Sequence, residues 1–167
     1  MVVNAPMEAV PTRDGPRPAV SDGMPHRQID QQSPTEVAAD LVRRVFDALP
    51  PGVHAAPSRI SVPGARALVL DDDVIAGPPA AFLIGREYAH VHPAPDHSLH
   101  LTLPPDAADR VVAAGWAEPH PAVTSGHAPA GAVMVYAPRT TAEVDVVLGL
   151  LDLSYRHATT PEPEVAP

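Results

Sequence analysis

Along this chain the spacing of apolar residues changes once, from a helical repeat to a two-residue alternation. Val37, Leu41, Val45 and Leu49 fall on one side of a helix. In front of them Ser33-Pro34-Thr35-Glu36 reads as a capping box with proline at the first helical position, and Pro50-Pro51-Gly52 ends the run. From Arg59 to Leu103 the pattern alternates. The candidate strands are RISV (59–62), ARALVL (65–70), AFLIG (81–85), EYAHVH (87–92) and SLHLTL (98–103), parted by Pro, Gly and Asp clusters. Pro104-Pro105-Asp106 opens a short helix that Gly115 stops. AVMVYAP (132–138) is a further strand. Thr140-Thr141-Ala142-Glu143 is a second capping box, ahead of a helix carrying Val144, Val147, Leu148, Leu151 and Tyr155 on one face.

The predicted order is α-β-β-β-β-β-α-β-α. It fits the α+β class: a mostly antiparallel sheet of about five to six strands with three helices packed on one face. Residues 1–32 mix Pro, Gly, Asp, Arg and Gln without periodicity and read as a disordered leader; the domain covers 33–158, and 159–167 form a second disordered tail.

Composition narrows the function. The chain has 167 residues, room for one domain, and its net charge of −9 is the wrong sign for a nucleic-acid partner or an anionic membrane surface. Every basic residue is arginine, a bias that suggests a GC-rich bacterial genome. There is no cysteine, hence no disulfide, no thiolate nucleophile and no thiolate metal site. No signal-peptide pattern and no apolar run of membrane-spanning length is visible, so a soluble cytoplasmic protein is expected, its oligomeric state open.

The chemistry concentrates in REYAHVHPAPDHSLHLTLP (86–104), which holds four of the nine histidines. Taking 86–92 and 98–103 as a hairpin, a five-residue loop sets His90 opposite His100, His92 opposite Ser98 and Tyr88 opposite Thr102. Alternation then puts Arg86, Tyr88, His90, His92 and His100 on one face, with Ala89, Val91, Leu99, Leu101 and Leu103 on the core face. Opposed Cβ atoms lie about 4.5–5.5 Å apart, so His90 and His100 can touch, with His92 on the diagonal. His97 belongs to the turn. The same parity sends Glu87 toward the core, where a carboxylate needs a partner. Asp96 after Pro95 reads as a turn cap, His120 sits rigidly between prolines, and Trp116 is a core anchor or a pocket wall. Three readings of the face compete: a metal site for Zn²⁺, Fe²⁺ or Cu²⁺ on His90, His92 and His100; acid–base chemistry; and a solvated polar sheet face.

These residues also carry a family pattern. Arg86-Glu87, Ala89-His90, His92, Asp96, Leu99-His100-Leu101, Gly115-Trp116, His120-Pro121 and Tyr136-Ala137-Pro138-Arg139 with Glu143 occur in order over roughly residues 83 to 158. The stretch resembles the C-terminal catalytic region of fungal bioluminescence luciferases and the bacterial luciferase-domain proteins grouped with them. The resemblance implies addition of O₂ to an enolisable or phenolic heterocycle, such as a 3-hydroxy-α-pyrone, without flavin or nicotinamide. It makes His90, His92, His100 and His120 candidates for the base and Arg86 or Arg139 for the anion clamp. Trp116 or Tyr136 would stack on the ring. Glu87 joins the catalytic candidates, and Tyr88 and Asp96 the substrate-binding ones. The fungal enzymes have a membrane-spanning segment and a longer first half that these residues do not show, and their substrate is not carried over. A non-catalytic metal- or small-ligand-binding domain on the same face is the alternative. A faint likeness of the second half to double-wing domains linked to DNA is opposed by the charge.

Overall fold

The computed structural model describes residues 9–162. Its elements, in chain order, are α1 (Thr35–Phe46), β1 (Val53–Pro57), β2 (Arg66–Leu70), a 3₁₀ turn (Pro79–Ala81), β3 (Glu87–Val91), β4 (Leu99–Thr102), α2 (Pro105–Ala113), β5 (Ala117–Pro119), α3 (Pro121–Thr124), β6 (Ala132–Val135) and α4 (Thr141–Thr159). The strands form one six-stranded sheet in the order β1-β2-β3-β4-β6-β5, antiparallel at every pairing. The α+β class and the mostly antiparallel sheet with helices over one face are therefore as expected. Among the described residues no helix is long and apolar enough to cross a membrane.

One face of the sheet carries the core. Ala89, Val91, Leu99, Leu101, Val133 and Val135 project from its central strands and meet Val37, Leu41 and Val45 of α1, Val111 of α2, and Val144, Val147 and Leu150 of α4. These are the helical repeats read from the sequence. Gly115 stops α2 with φ +87°, a conformation that strains any residue bearing a Cβ. Only half of the capping chemistry is as expected. Thr140 accepts the Glu143 N–H at the start of α4, but Ser33 turns from α1 to donate to the Pro138 carbonyl, and Pro34 becomes the residue before the first turn.

Two expected strands are not strands. Arg59–Val62 is a loop between β1 and β2. In the expected strand 81–85, Ala81 ends a 3₁₀ turn that Pro78 and Pro79 preset, while Phe82–Gly85 follow it irregularly. The apolar residues Ile60, Val62 and Leu83 serve a cavity instead, which is why their alternation misled. Conversely β1 and β5 lack a strand pattern. Both are edge strands paired on one side only, and β5 ends in proline, which an edge tolerates.

The leader is the larger correction. Residues 1–8 and 163–167 lie outside the described residues, but 9–32 lie against the domain as a strap. Arg13 N–H donates to the Ala114 carbonyl (2.8 Å), and Arg17 Nη1 to that of Ala117 (2.7 Å). Trp116 Nε1–H donates to Pro11, and the Ala137 N–H to Gln28 Oε1 (2.8 Å). Apart from the Arg13–Ala114 backbone bond the strap is held mainly through side chains. Beyond an isolated Val20–Gln28 bridge it makes no helix or strand, so no periodicity announces it.

Candidate active site

The face opposite the core carries a row of residues in register across five strands. Ala67 of β2 pairs with His90 of β3, His90 with His100 of β4, His100 with Met134 of β6, and Met134 with Glu118 of β5. The expected pairing of His90 with His100 is the observed one, and the His92 N–H donates to the Ser98 carbonyl (2.9 Å) where the hairpin closes.

A bulge changes the parity below His90. Leu68 pairs with Ala89 but Val69 with Glu87, so Tyr88 is an extra residue in β3. Tyr88 therefore turns to the core side with Ala89 and meets the Tyr155 ring of α4, while Glu87 comes round to the histidine face. The expected assignments of Glu87 to the core and Tyr88 to the site are thus exchanged.

Glu87 is buried and accepts bonds from His90 Nδ1–H (2.7 Å), Ser58 Oγ–H (2.7 Å) and Arg59 N–H (3.2 Å). Burial pushes its carboxyl up, but the bonds from His90 and Ser58 outweigh that and hold it below the ordinary range. Asp96, expected as a turn cap, does two things. Oδ1 accepts from the Ser98 N–H (3.1 Å), and Oδ2 accepts from His92 Nδ1–H (2.7 Å). Burial raises its carboxyl, and the His92 and Ser98 bonds bring it below the usual value.

Two further residues complete the cluster, and sequence reasoning had not found them. His26 of the strap is buried; its Nε2–H donates to Glu118 Oε1 (2.7 Å) and its Nδ1 lies 3.2 Å from His100 Nε2. Glu118 also accepts from the Tyr136 hydroxyl (2.9 Å). Three histidines of the cluster thus have a carboxylate behind them: Glu87 with His90, Asp96 with His92 and Glu118 with His26. The first two pairs are local and legible as spacings. The third joins residues 92 positions apart, and no local signal marks it.

His100 is the hub. Its Nδ1 lies 3.0 Å from His90 Nε2, its Nε2 meets His26, and the His92 and His120 rings stand edge-on at 4.8 and 4.7 Å. Burial and then the surrounding imidazoles keep it neutral, well below the ordinary histidine range; burial does the same to His90, partly offset by Glu87. His120 is pushed down to about 4, by burial first and then by His26, His90 and His92. Its Nδ1 accepts the Ala122 N–H (3.1 Å), so the single proton of the neutral ring sits on Nε2.

The cluster opens into a cavity of about 600 Å³. His90, His92, His100, His120 and the strap residue His26 line it, with Ile60, Val62, Leu83 and Met24 as an apolar wall. Met24 and Ile60 are 63% and 48% exposed, and they form an apolar rim.

Several sequence candidates lie elsewhere. Arg86 spends its guanidinium on the carbonyls of Leu70, Asp71 and Val74. Arg139 is paired with Glu143 and also donates to the Asp14 carbonyl (2.9 Å). Trp116 is 3% exposed in the core and holds the strap through Pro11. Tyr136 reaches the site only through Glu118, its ring under Arg13 at 5.5 Å. His97 takes a left-handed turn position (φ 53°) and does not line the cavity.

Groups of imidazoles that could hold a metal ion are present, His90-His92-His100 and His26-His100-His120, the ligand atoms within each lying within 4.8 Å of one another. Comparison with known proteins finds a similarity that falls on this face. The luciferase-domain model matches residues 85–154, from β3 to the last turns of α4. The chain is 29% identical to the luciferases of Armillaria mellea and Armillaria ostoyae and 28% identical to that of Armillaria gallica, each alignment covering 90% of this chain and 61% of the relative. It therefore spans about three fifths of the length of those curated relatives. No solved structure gives a significant match. The segment similar to the luciferase domain is the one that supplies His90, His92, His100, His120 and their two local carboxylates.

Proposed function

We propose that the protein is a small oxygenase-like enzyme of the luciferase type, acting with O₂ on an enolisable or phenolic heterocycle in the histidine cavity. The observation that carries this reading is the pairing of opposite chemistries on one wall. His92, its Nδ1–H held by Asp96, has a buried Nε2 with no partner, a bare lone pair. His120, on the same cavity, is a neutral ring with its proton on Nε2. An acceptor can take the enol proton, and a neutral donor can steady the charge left on oxygen.

In the proposed reaction the enol gives its proton to His92, and the enolate carbon bonds to one oxygen atom of O₂. The proton held by His92 then passes to the distal oxygen, giving a hydroperoxide and restoring the His92 lone pair. Three features support this: the imidazoles of His90, His100 and His120, which burial holds neutral; the apolar wall, which limits water; and the exposed Met24 and Ile60 rim, suited to a flat ring. Arg86 and Arg139 have no part in it, because their guanidiniums are engaged elsewhere.

The test is incubation of the full chain with 3-hydroxy-α-pyrones and other cyclic enols while oxygen uptake and light are followed. Protein-dependent uptake is expected, reduced at least about 100-fold in H92Q, the usual scale for loss of a general base. Absence of uptake across the panel would favour the second reading, a binding domain using the same face without turnover.

A further inference from the structure

The hydrogen-bond pattern of the cluster does not close on itself. Glu87, Asp96 and Glu118 can only accept, so His90 and His92 carry their protons on Nδ1 and His26 carries its proton on Nε2. The inward nitrogens of all three are then bare lone pairs. His100 sits between His90 Nε2 (3.0 Å) and His26 Nδ1 (3.2 Å), and a neutral His100 has one proton for two acceptors. His92 Nε2 has no partner at all, on a side chain only 1% exposed. The cluster is short of positive charge at the point where His90, His92 and His100 meet.

From this count we infer that His90 Nε2, His92 Nε2 and His100 Nδ1 bind one divalent first-row transition-metal ion, leaving a coordination position open to the cavity. With an ion there, every proton falls into place. His90 and His92 ligate through the nitrogens opposite their carboxylates, the arrangement that orients imidazole ligands and raises their basicity. His100 ligates through Nδ1 and gives its Nε2–H to His26, whose Nε2–H already goes to Glu118. Both ring nitrogens of His26, His90, His92 and His100 then have a partner. The 3.0 Å between His90 Nε2 and His100 Nδ1 is close to the roughly 3.3 Å that separates two nitrogens on a tetrahedral ion with bonds of about 2.0–2.1 Å.

The same bookkeeping excludes the neighbouring trio. In His26-His100-His120 the Nδ1 of His120 accepts the Ala122 N–H, so its Nε2 holds the ring proton and has no lone pair in the plane. His120 cannot ligate without losing that backbone bond. Imidazole donors suit zinc, copper, iron, cobalt or nickel and disfavour magnesium and calcium, so the ligand class is narrow.

This inference deepens the reading of the cavity as a substrate site and rests on that reading only for what fills the open position, an oxygen donor such as an enolate. An ion and an enol proton compete for the His92 lone pair. When the ion is bound, it stands between His92 and the substrate oxygen, and it supplies the acidity that the free imidazole otherwise would.

The experiment is titration of the full chain, stripped with dipicolinate, with Co²⁺ and Zn²⁺. Cobalt absorption, calorimetry and bound-metal analysis are read together, with no substrate present. One equivalent is expected, with the visible bands of a nitrogen-ligated cobalt site and a rise in unfolding temperature. H92Q should lose stoichiometric binding, and D96N should weaken it about 10–100-fold. H26Q and H120Q should keep one equivalent. D96N retains all three ligands, so it remains informative if H92Q fails to fold. No stoichiometric ion in the wild-type protein would overturn the proposal, as would binding lost in H120Q but kept in H92Q. Turnover is measured separately on stripped and loaded protein. A loaded protein that consumes no oxygen upholds the site and rejects the reaction, and a stripped protein that does so at full rate rejects the ion's part in it.

Discussion

The two faces of the sheet are both buried, by opposite means. Over Leu99, Leu101, Val133 and Val135 lie the apolar sides of α1, α2 and α4, and any well-fitting hydrocarbon would satisfy that face. Over Ala67, His90, His100 and Met134 lie an irregular strap and two loops, and the buried groups beneath them are nitrogens that each need a particular partner. One face is specified by volume and the other by bond pattern. A family resemblance can therefore rest on a handful of histidines and carboxylates, since only the second face fixes residue types one by one.

The contrast breaks most clearly at adjacent residues of β4. Leu101→Ala removes fully buried volume from the helix face and is expected to cost about 2–5 kcal/mol in urea unfolding, with function per folded molecule kept. His100→Leu roughly conserves volume but strands His90 and His26. It should cost about 1–3 kcal/mol and abolish metal binding and turnover together. Equal stability losses with function kept in both would dissolve the distinction.

The strap supplies the next test. Gln28 is 1% exposed; its Oε1 satisfies the Ala137 N–H and its Nε2 bonds the Asp30 and Gln31 carbonyls. Gln28→Ala leaves a buried N–H without a partner and is expected to lower stability by about 1–3 kcal/mol. The single tryptophan, bonded to Pro11 of the strap, reports the event by fluorescence. An unchanged midpoint and unchanged slope would mean that residues 9–32 do not unfold with the sheet.

Legibility followed the same divide. Helix repeats and central strands were readable because burial against one apolar face imposes a period, and the hairpin arithmetic placed His90 opposite His100 correctly. The bulge at Tyr88 was not readable, since one inserted residue reverses parity without altering composition. That single residue exchanged the roles of Glu87 and Tyr88. Ile60, Val62 and Leu83 looked like strand residues because a cavity wall and a core both favour apolar side chains. The strap, with His26, was lost because a segment held by side-chain-to-carbonyl bonds has the composition of a disordered one.

The smallest effect lies at the seam between the strap and the helix side. Glu143, at the start of α4, accepts the Arg139 N–H (2.7 Å) and its guanidinium, while the same guanidinium donates to the strap at the Asp14 carbonyl (2.9 Å). Burial raises the Glu143 carboxyl, but the Arg139 bonds outweigh this and hold it below its ordinary value. Because the folded value lies below the unfolded one, the unfolded state binds more protons between them. The pair's contribution is therefore complete above the unfolded value and is lost as pH falls through the folded one. Glu143→Gln should lower the unfolding temperature by a few degrees at most at pH 7, the range of a pair worth about 1 kcal/mol or less, and the gap to wild type should close in acid. If the seam joins two separately specified layers, tryptophan fluorescence will register this acid loosening before far-ultraviolet circular dichroism does. Coincident acid transitions would mean that the strap and the helix face unfold as one layer.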